Sequence, residues 1–400
     1  MAQYSDRKVV VSKRAIEQVH AGSLTPVANT QSETIGTAEE LRTRIEDAWN
    51  RSRKAVESGD KIILRQLHLD AKRADELVDY QELRRYLRRY KSYFPSGAKI
   101  EPDKIQPVLV PVSANSLEER LFRTMRGYWS MPYSKGYGRR LRFVVMDAHH
   151  DAIIGIIGLH SPSADLACRD DYLGLAKQDK LSVVNNTLDA YTIGASPTYA
   201  PLLGGKLVAG LLHSKVIRQE YSRQYGATKT SQLGHKVPRP LLAITTASAF
   251  GRSSIYNRLR FRDHLLAKPL GYTKGFGTLH LENVYPDIVG WLRRSGQFVP
   301  AGFGNGPKVR WQNIVRVLAD LNIPRSFLEH GIRREVYIFE LVKNIRSVCQ
   351  AGHIPDVADF DSEAWCGFWR ERWCLPRAAR SPDWYEFSPY EKIEDALMMR

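Results

Sequence analysis

The stretch from Leu141 to Leu279 constrains the fold most, because it holds nearly all of the β-like sequence and most of the unusual loops. Leu141–Met146 and Ala152–Leu159 are short apolar runs rich in β-branched residues, joined by the polar Asp147–Asp151, which predicts a β-hairpin. A third run, Leu188–Ile193, reaches the turn Gly194–Pro197. Beyond it Leu202, Leu203, Leu207, Val208, Leu211, Leu212 and Val216 recur at helical spacing as far as Gly226. A fourth run, Leu241–Thr246, leads through a turn into a short helical segment, Ser254–Leu259, and a glycine-punctuated tail ending in the strand-like Thr278–Leu281. This order predicts an α/β (α+β) fold, a central mixed β-sheet with helices packed on it.

Helical regions flank that core on both sides. Residues 1–35 read as a flexible arm, 36–112 as a basic helical region, 113–300 as the central α/β domain and 301–400 as a C-terminal helical domain. Thr37 is placed to cap the first helix, with Glu40 completing a capping box. Pro-bounded Lys99–Val112 reads as an extended strap and Leu117–Trp129 as a helix. Val309–Leu321 and Glu335–Val348 read as helices around a basic turn, Phe327–Arg334, and Gly302–Pro307 breaks the chain before them.

Charge points to the partner. The chain carries 59 Lys+Arg against 43 Asp+Glu, a net +16 that favours polyanions at long range. Nucleic acid is the expected partner, DNA ahead of RNA. Cys168, Cys349, Cys366 and Cys374 have neither zinc spacing nor disulfide density, so no metal site is expected. With no apolar leader and no run of about eighteen apolar residues, the chain reads as cytoplasmic, without a membrane partner.

Four stretches offer cations beside aromatics. On the helix expected at Tyr80–Phe94, Arg84, Arg85, Arg88 and Arg89 either follow a phosphate backbone while tyrosines stack on bases, or are merely solvated around a buried tyrosine face. The loop before the first core strand holds Lys135, Arg139 and Arg140, and Gly251–Arg262 adds Arg252, Arg258 and Arg260 beside Tyr256. Gly271–Gly277 is an anion-loop candidate in which close glycines free the backbone amides while Thr273 and Lys274 supply a hydroxyl and a cation. If these loops converge, they form one cationic, aromatic-lined cleft.

Catalytic candidates are Arg169, Asp170, Asn185 and Tyr256, with the reaction and any enzymatic activity left open. Arg169–Asp170 either orients a ligand or is a structural ion pair, and Asn185 either binds or makes an Asx turn. His149 and His150, adjacent on a hairpin tip, point apart and read as an exposed turn. Trp365, Trp369 and Trp373, four residues apart, share a helix face that is either buried or a docking face.

Several blocks carry a family resemblance. Gly155–Gly158, Arg169–Gly174, Leu181–Asn186, Leu202–Leu207 and Gly271–Gly277 occur in the order in which similar blocks occur in the DruA family of the Druantia anti-phage system, and the chain resembles that family. It departs from the family at Thr245–Thr246, where relatives carry an acidic residue, and at Ser253–Tyr256. The resemblance implies an anti-phage role, with other defence proteins as partners that the tryptophan face could dock. A second resemblance is to the GNAT acetyltransferase fold. It rests on Pro197–Lys206 in the place of a pyrophosphate loop and Ile255–Phe261 in the place of its terminal motif, and implies an acyl-CoA site at Gly204, Gly205 and Lys206. Outside that alternative no cofactor is expected.

Overall fold

The structure is a computed structural model that describes residues 37–73, 78–132, 138–176, 178, 180–227, 240–300, 309–386 and 388–398. The expected arm at 1–35, the breaker Gly302–Pro307 and Lys135 lie outside these residues. Among the described residues the strands are β1 (Pro107–Pro111), β2 (Arg140–Asp147), β3 (Ala152–His160), β4 (Thr187–Ala195), β5 (Ala243–Ala247), β6 (Arg260–Phe261), β7 (His264–Leu265), β8 (Lys268–Tyr272) and β9 (Glu335–Glu340). Seven of them form a mixed sheet in the order β1-β2-β3-β4-β5-β9-β8, in which β4 and β5 pair parallel and the other neighbours antiparallel. The fold is α/β, as the pattern predicts.

The hairpin β2–β3 lies between edge strand β1 and the middle strand β4, and β3 is buried along its whole length. Asp147 closes it. Its carboxylate is fully buried and accepts from the Gln106 and His149 amides at 2.9 and 3.1 Å, from His150 Nδ1 at 2.7 Å and from the Tyr199 hydroxyl at 2.8 Å. One side chain thus ties the hairpin tip to the approach of β1 and to the turn after β4. His150, expected on an exposed turn, is pinned inward. Glu101 comes beside His149 and His150. The Glu101 amide, however, donates to His150 Nε2 at 3.0 Å, so both nitrogens of that ring are engaged within the protein.

Helices cover both faces. Alternate residues of β2, Leu141, Phe143 and Val145, pack under helices Gly204–Gly210 and Lys215–Tyr225 and the tryptophan helix Ser362–Trp369. Val144, Ile153 and Ile156 face helices Tyr80–Arg89, Leu117–Tyr128 and Pro389–Met398 on the other side. The first helix, Ala38–Ser58, starts with the expected Thr37/Glu40 capping box. It shares a core with Tyr285–Arg294 and Val309–Asp320, so segments distant in the chain pack together. No described helix is long and apolar enough to cross a membrane.

Five expectations are corrected. Glu335–Glu340, read as the start of a helix, is the strand between β5 and β8, and the helix begins only at Ile345. The strap is edge strand β1, whose Pro107 and Pro111 are tolerated because an edge leaves one side of the backbone unpaired. Ser254–Leu259 is a turn, and Leu279–Leu281 is a short 3₁₀ turn. The helix expected from Leu202 to Gly226 breaks at Leu211–His213.

Trp365 and Trp369 are fully buried, and their indole N–H groups donate to Leu207 O at 3.0 Å and Leu203 O at 3.2 Å. Gly210 permits this approach, since a Cβ there would run into the Trp365 ring. Gly210→Ala is therefore expected to cost about 1–3 kcal/mol of stability, read as a lower denaturation midpoint with an unchanged m-value.

Candidate functional site

The catalytic candidates are structural in their contacts. Arg169 is fully buried, and its guanidinium donates to Asp170 Oδ1 and to the Ser163 and Ala164 carbonyls, while Lys180 Nζ lies 2.6 Å from Asp170. The Asn185 carbonyl accepts from Arg139 and from the Tyr221 hydroxyl. Arg139 also donates to Thr187 O at 3.2 Å, so this arginine staples the start of β4 instead of facing solvent. Tyr256 is buried against Tyr337, with ring centroids 5.1 Å apart, and burial pushes its phenol up to about 12.

The positions of the acyl-CoA alternative are also engaged. A Cβ on Gly204 would press on Tyr199 O, and one on Gly205 on Ile255. Lys206 Nζ donates to the Ser254, Ile255 and Asn257 carbonyls at 3.0, 3.4 and 3.3 Å.

The cationic residues do not form one cleft. Arg84 donates to Leu397 O, leaving Arg85, Arg88 and Arg89 exposed on helix Tyr80–Arg89. On that helix Tyr80 is buried and Tyr86 half-buried, with the Tyr86 hydroxyl on Glu82 and the Arg123 guanidinium over its ring. Arg140 opens β2 and faces His160 at the end of β3, whereas Thr273 follows the end of β8, beside the start of β9. Because β4 and β5 run parallel, these positions fall at opposite ends of the sheet and near opposite edges. Arg258 and Arg260 are exposed near the small β6–β7 hairpin.

Two clefts test where an anion would go. A cleft of about 560 Å³ beside Arg140 is lined by Arg123, Arg142, Tyr191 and Tyr225, but also by Asp79 and Glu119. Two of its cations are already compensated, Arg123 by Glu82 and Arg142 by Glu119 at 2.9 Å. The second, of about 270 Å³, lies between the Gly271–Gly277 loop and the segment before β9. No acidic residue lines it, while Thr273, His330 and Arg334 do.

Of the expected set Thr273 lines this second cleft, Lys274 follows it in the chain, and Arg252 follows Gly251, which bridges to the lining residue Arg334. The Thr273 amide donates to Arg334 O at 2.9 Å, and its hydroxyl accepts from the Arg334 amide at 3.1 Å. Arg252 lies at the β9 start, 3.6 Å from the Glu335 carboxylate. Around the mouth Lys274, Arg333, Tyr272 and Phe276 are exposed, and Phe276 is 50% exposed although fully apolar. The Arg333 guanidinium sits over the Tyr272 ring, 5.4 Å from its centroid. Three buried histidines meet here, His330 in the wall of the cleft and His68 and His280 close to it. Burial, assisted by the nearby Arg334 charge, holds His68 and His330 down to about 3, and burial holds His280 down to about 4. The basic turn Phe327–Arg334 marked this region in the sequence. Nothing local marked His68, which arrives from another helix and stacks on Phe250 at 4.4 Å.

Residues 58–351, which include this cleft, match the family model described as Druantia protein DruA. A curated relative, the Druantia protein DruA of Escherichia coli (strain UMEA 4076-1), is 37% identical over 333 residues, covering 81% of this chain and 81% of that protein. No solved structure matches the chain.

Proposed function

The chain belongs to the DruA family, and on that premise we propose that it is a component of a Druantia anti-phage system that binds nucleic acid at the cleft between the Gly271–Gly277 loop and β9. One observation carries the reading. A cleft without an acidic residue in its lining holds Arg334 inside and exposes Lys274, Arg333, Tyr272 and Phe276 at its mouth. Cations there neutralise phosphates, and exposed aromatic faces stack bases without regard to sequence. The net +16 supplies long-range attraction to the same polymer.

The test is fluorescence anisotropy against labelled single-stranded DNA, duplex DNA and RNA at several salt concentrations. Combined Arg252→Ala, Lys274→Ala and Arg333→Ala is expected to flatten the slope of log affinity against log salt by about 2–3, close to one for each phosphate left without its cation. Arg85→Ala, Arg88→Ala and Arg89→Ala together should change it less. The reverse order would move the interface to helix Tyr80–Arg89. For the acyltransferase alternative the readout is a thermal shift with acyl-coenzyme A. No shift is expected, because Gly204 and Gly205 face Tyr199 and Ile255 and Lys206 is held by three carbonyls.

A further inference from the structure

Arg334 lacks the counter-charge that a desolvated arginine needs. Its Nε is buried with no hydrogen-bond partner, and its Nη2 meets a nitrogen, His68 Nε2, at 3.5 Å. It makes no ion pair among the described residues, although Arg252 beside it lies near Glu335. A cation taken out of water without an anion is costly, and burial pushes its guanidinium pKa down accordingly.

The groups beside it are donors too. His330 Nδ1 accepts from the Ile332 amide at 3.0 Å, which puts the ring proton of the neutral imidazole on Nε2. That Nε2 lies toward Gly277 in the wall of the cleft, 3.4 Å from where a Cβ would stand. Thr273 Oγ1 accepts from the Arg334 amide, so its own proton is free to donate elsewhere. Thr278 also lines the cleft, but its hydroxyl is directed to Glu282 at 3.2 Å. Three donors of different kinds therefore share a space of about 270 Å³ that offers them no carboxylate.

We propose that this cleft receives a phosphate monoester, bound by the Arg334 guanidinium, His330 Nε2–H and the Thr273 hydroxyl. A monoester fits better than an internal phosphodiester because it offers three terminal oxygens to three donors, whereas a diester offers two and must continue on both sides. The source is the end of a nucleic-acid strand or a free nucleotide, which share this chemistry. The proposal rests on the nucleic-acid reading only for the polymer carrying the phosphate.

The experiment compares oligonucleotides of one sequence carrying a 5′-phosphate, a 3′-phosphate or only hydroxyl ends, by anisotropy, and adds thermal shifts with inorganic phosphate and a nucleoside monophosphate. A phosphorylated end is expected to bind about tenfold tighter or better than a hydroxyl end, the factor that one charge-assisted contact of about 1.4 kcal/mol supplies. Arg334→Met should erase that ratio and, by removing an uncompensated charge, raise the melting temperature of the free protein. A merely structural Arg334 would lower it. Arg334→Lys, which keeps the charge and loses the fork, should retain only part of the ratio. Stabilisation by the nucleotide with no preference among strand ends makes a free nucleotide the ligand. Stabilisation by phosphate with no oligonucleotide binding at all upholds this inference and overturns the nucleic-acid reading. Equal affinity for all three ends together with no shift from phosphate or nucleotide overturns the inference and leaves that reading standing.

Discussion

Acidification from pH 7 to 5 is expected to unfold much of this protein before most carboxylates titrate. Among the buried histidines of the described residues, burial holds His68, His213, His280 and His330 down to about 3, 4, 4 and 3 from an ordinary 6.5. In the unfolded chain each takes up a proton as the pH falls through 6.5, while in the folded chain each refuses it until near its lowered value. Stability is therefore complete above 6.5 and declines through the window between 6.5 and about 3. The loss is about 1.4 kcal/mol per pH unit for each histidine, or about 5 kcal/mol per unit if the four titrate independently. Against a total of about 5–15 kcal/mol, that brings the acid midpoint near pH 5. Guanidinium titrations at pH 7.5, 6.5 and 5.5 would read it as a falling midpoint, and an unchanged midpoint between 7.5 and 5.5 would show that these rings are hydrated. His213 serves as a reference within the same molecule. It bonds to Leu266 O at 3.1 Å and packs against Phe339, neither of which lines the cleft, so phosphate should protect the cleft histidines and leave the contribution of His213 alone.

The parts of the fold legible in the sequence are those set by neighbours in the chain. The capping box at Thr37 and Glu40 and the hairpin around Asp147–Asp151 need only local spacing, and both form. Glu335–Glu340 was illegible because a strand buried on both faces loses its alternation, and a short apolar run continuing into Leu341 and Val342 is not distinguished from a buried helix by periodicity. Lys268–Tyr272 was hidden by Pro269, which an edge strand accepts and a central one does not. At the candidate site, Thr273 and Lys274 could be picked out because closely spaced glycines mark an anion loop. Arg334 could not be separated from Arg333. One side chain is drawn into the cleft and the other left over Tyr272, and only the alternation of β9 and the packing of His68 behind it decide which. The single cleft expected from scattered cationic stretches failed for a topological reason, since the parallel pairing of β4 with β5 sends the loop before β2 and the loop after β8 to different ends of the sheet.

Replacing Asp147 with alanine is expected to be among the most destabilising single changes in the chain, at about 3–5 kcal/mol. The carboxylate serves four donors, the Gln106 and His149 amides, the His150 ring and the Tyr199 hydroxyl, from a site with no solvent exposure. Its removal strands all four where water cannot replace it. The Tyr199 phenol, raised by burial and by Asp147, cannot compensate by ionising, and His150 loses the acceptor that orients it toward the Glu101 amide. Asp147→Asn should be milder, because the amide oxygen still accepts from the two backbone N–H groups while its NH2 opposes the His150 and Tyr199 donors. Chemical denaturation of both variants ranks them, with alanine well below asparagine and asparagine below the native chain. The cleft at the Gly271–Gly277 loop is on the far side of the sheet order, beyond β4 and β5. At temperatures where Asp147→Asn stays folded, its preference for a phosphorylated strand end should therefore match that of the native chain. A loss of that preference in a folded Asp147→Asn protein would mean that the hairpin tip and the cleft are coupled through the sheet.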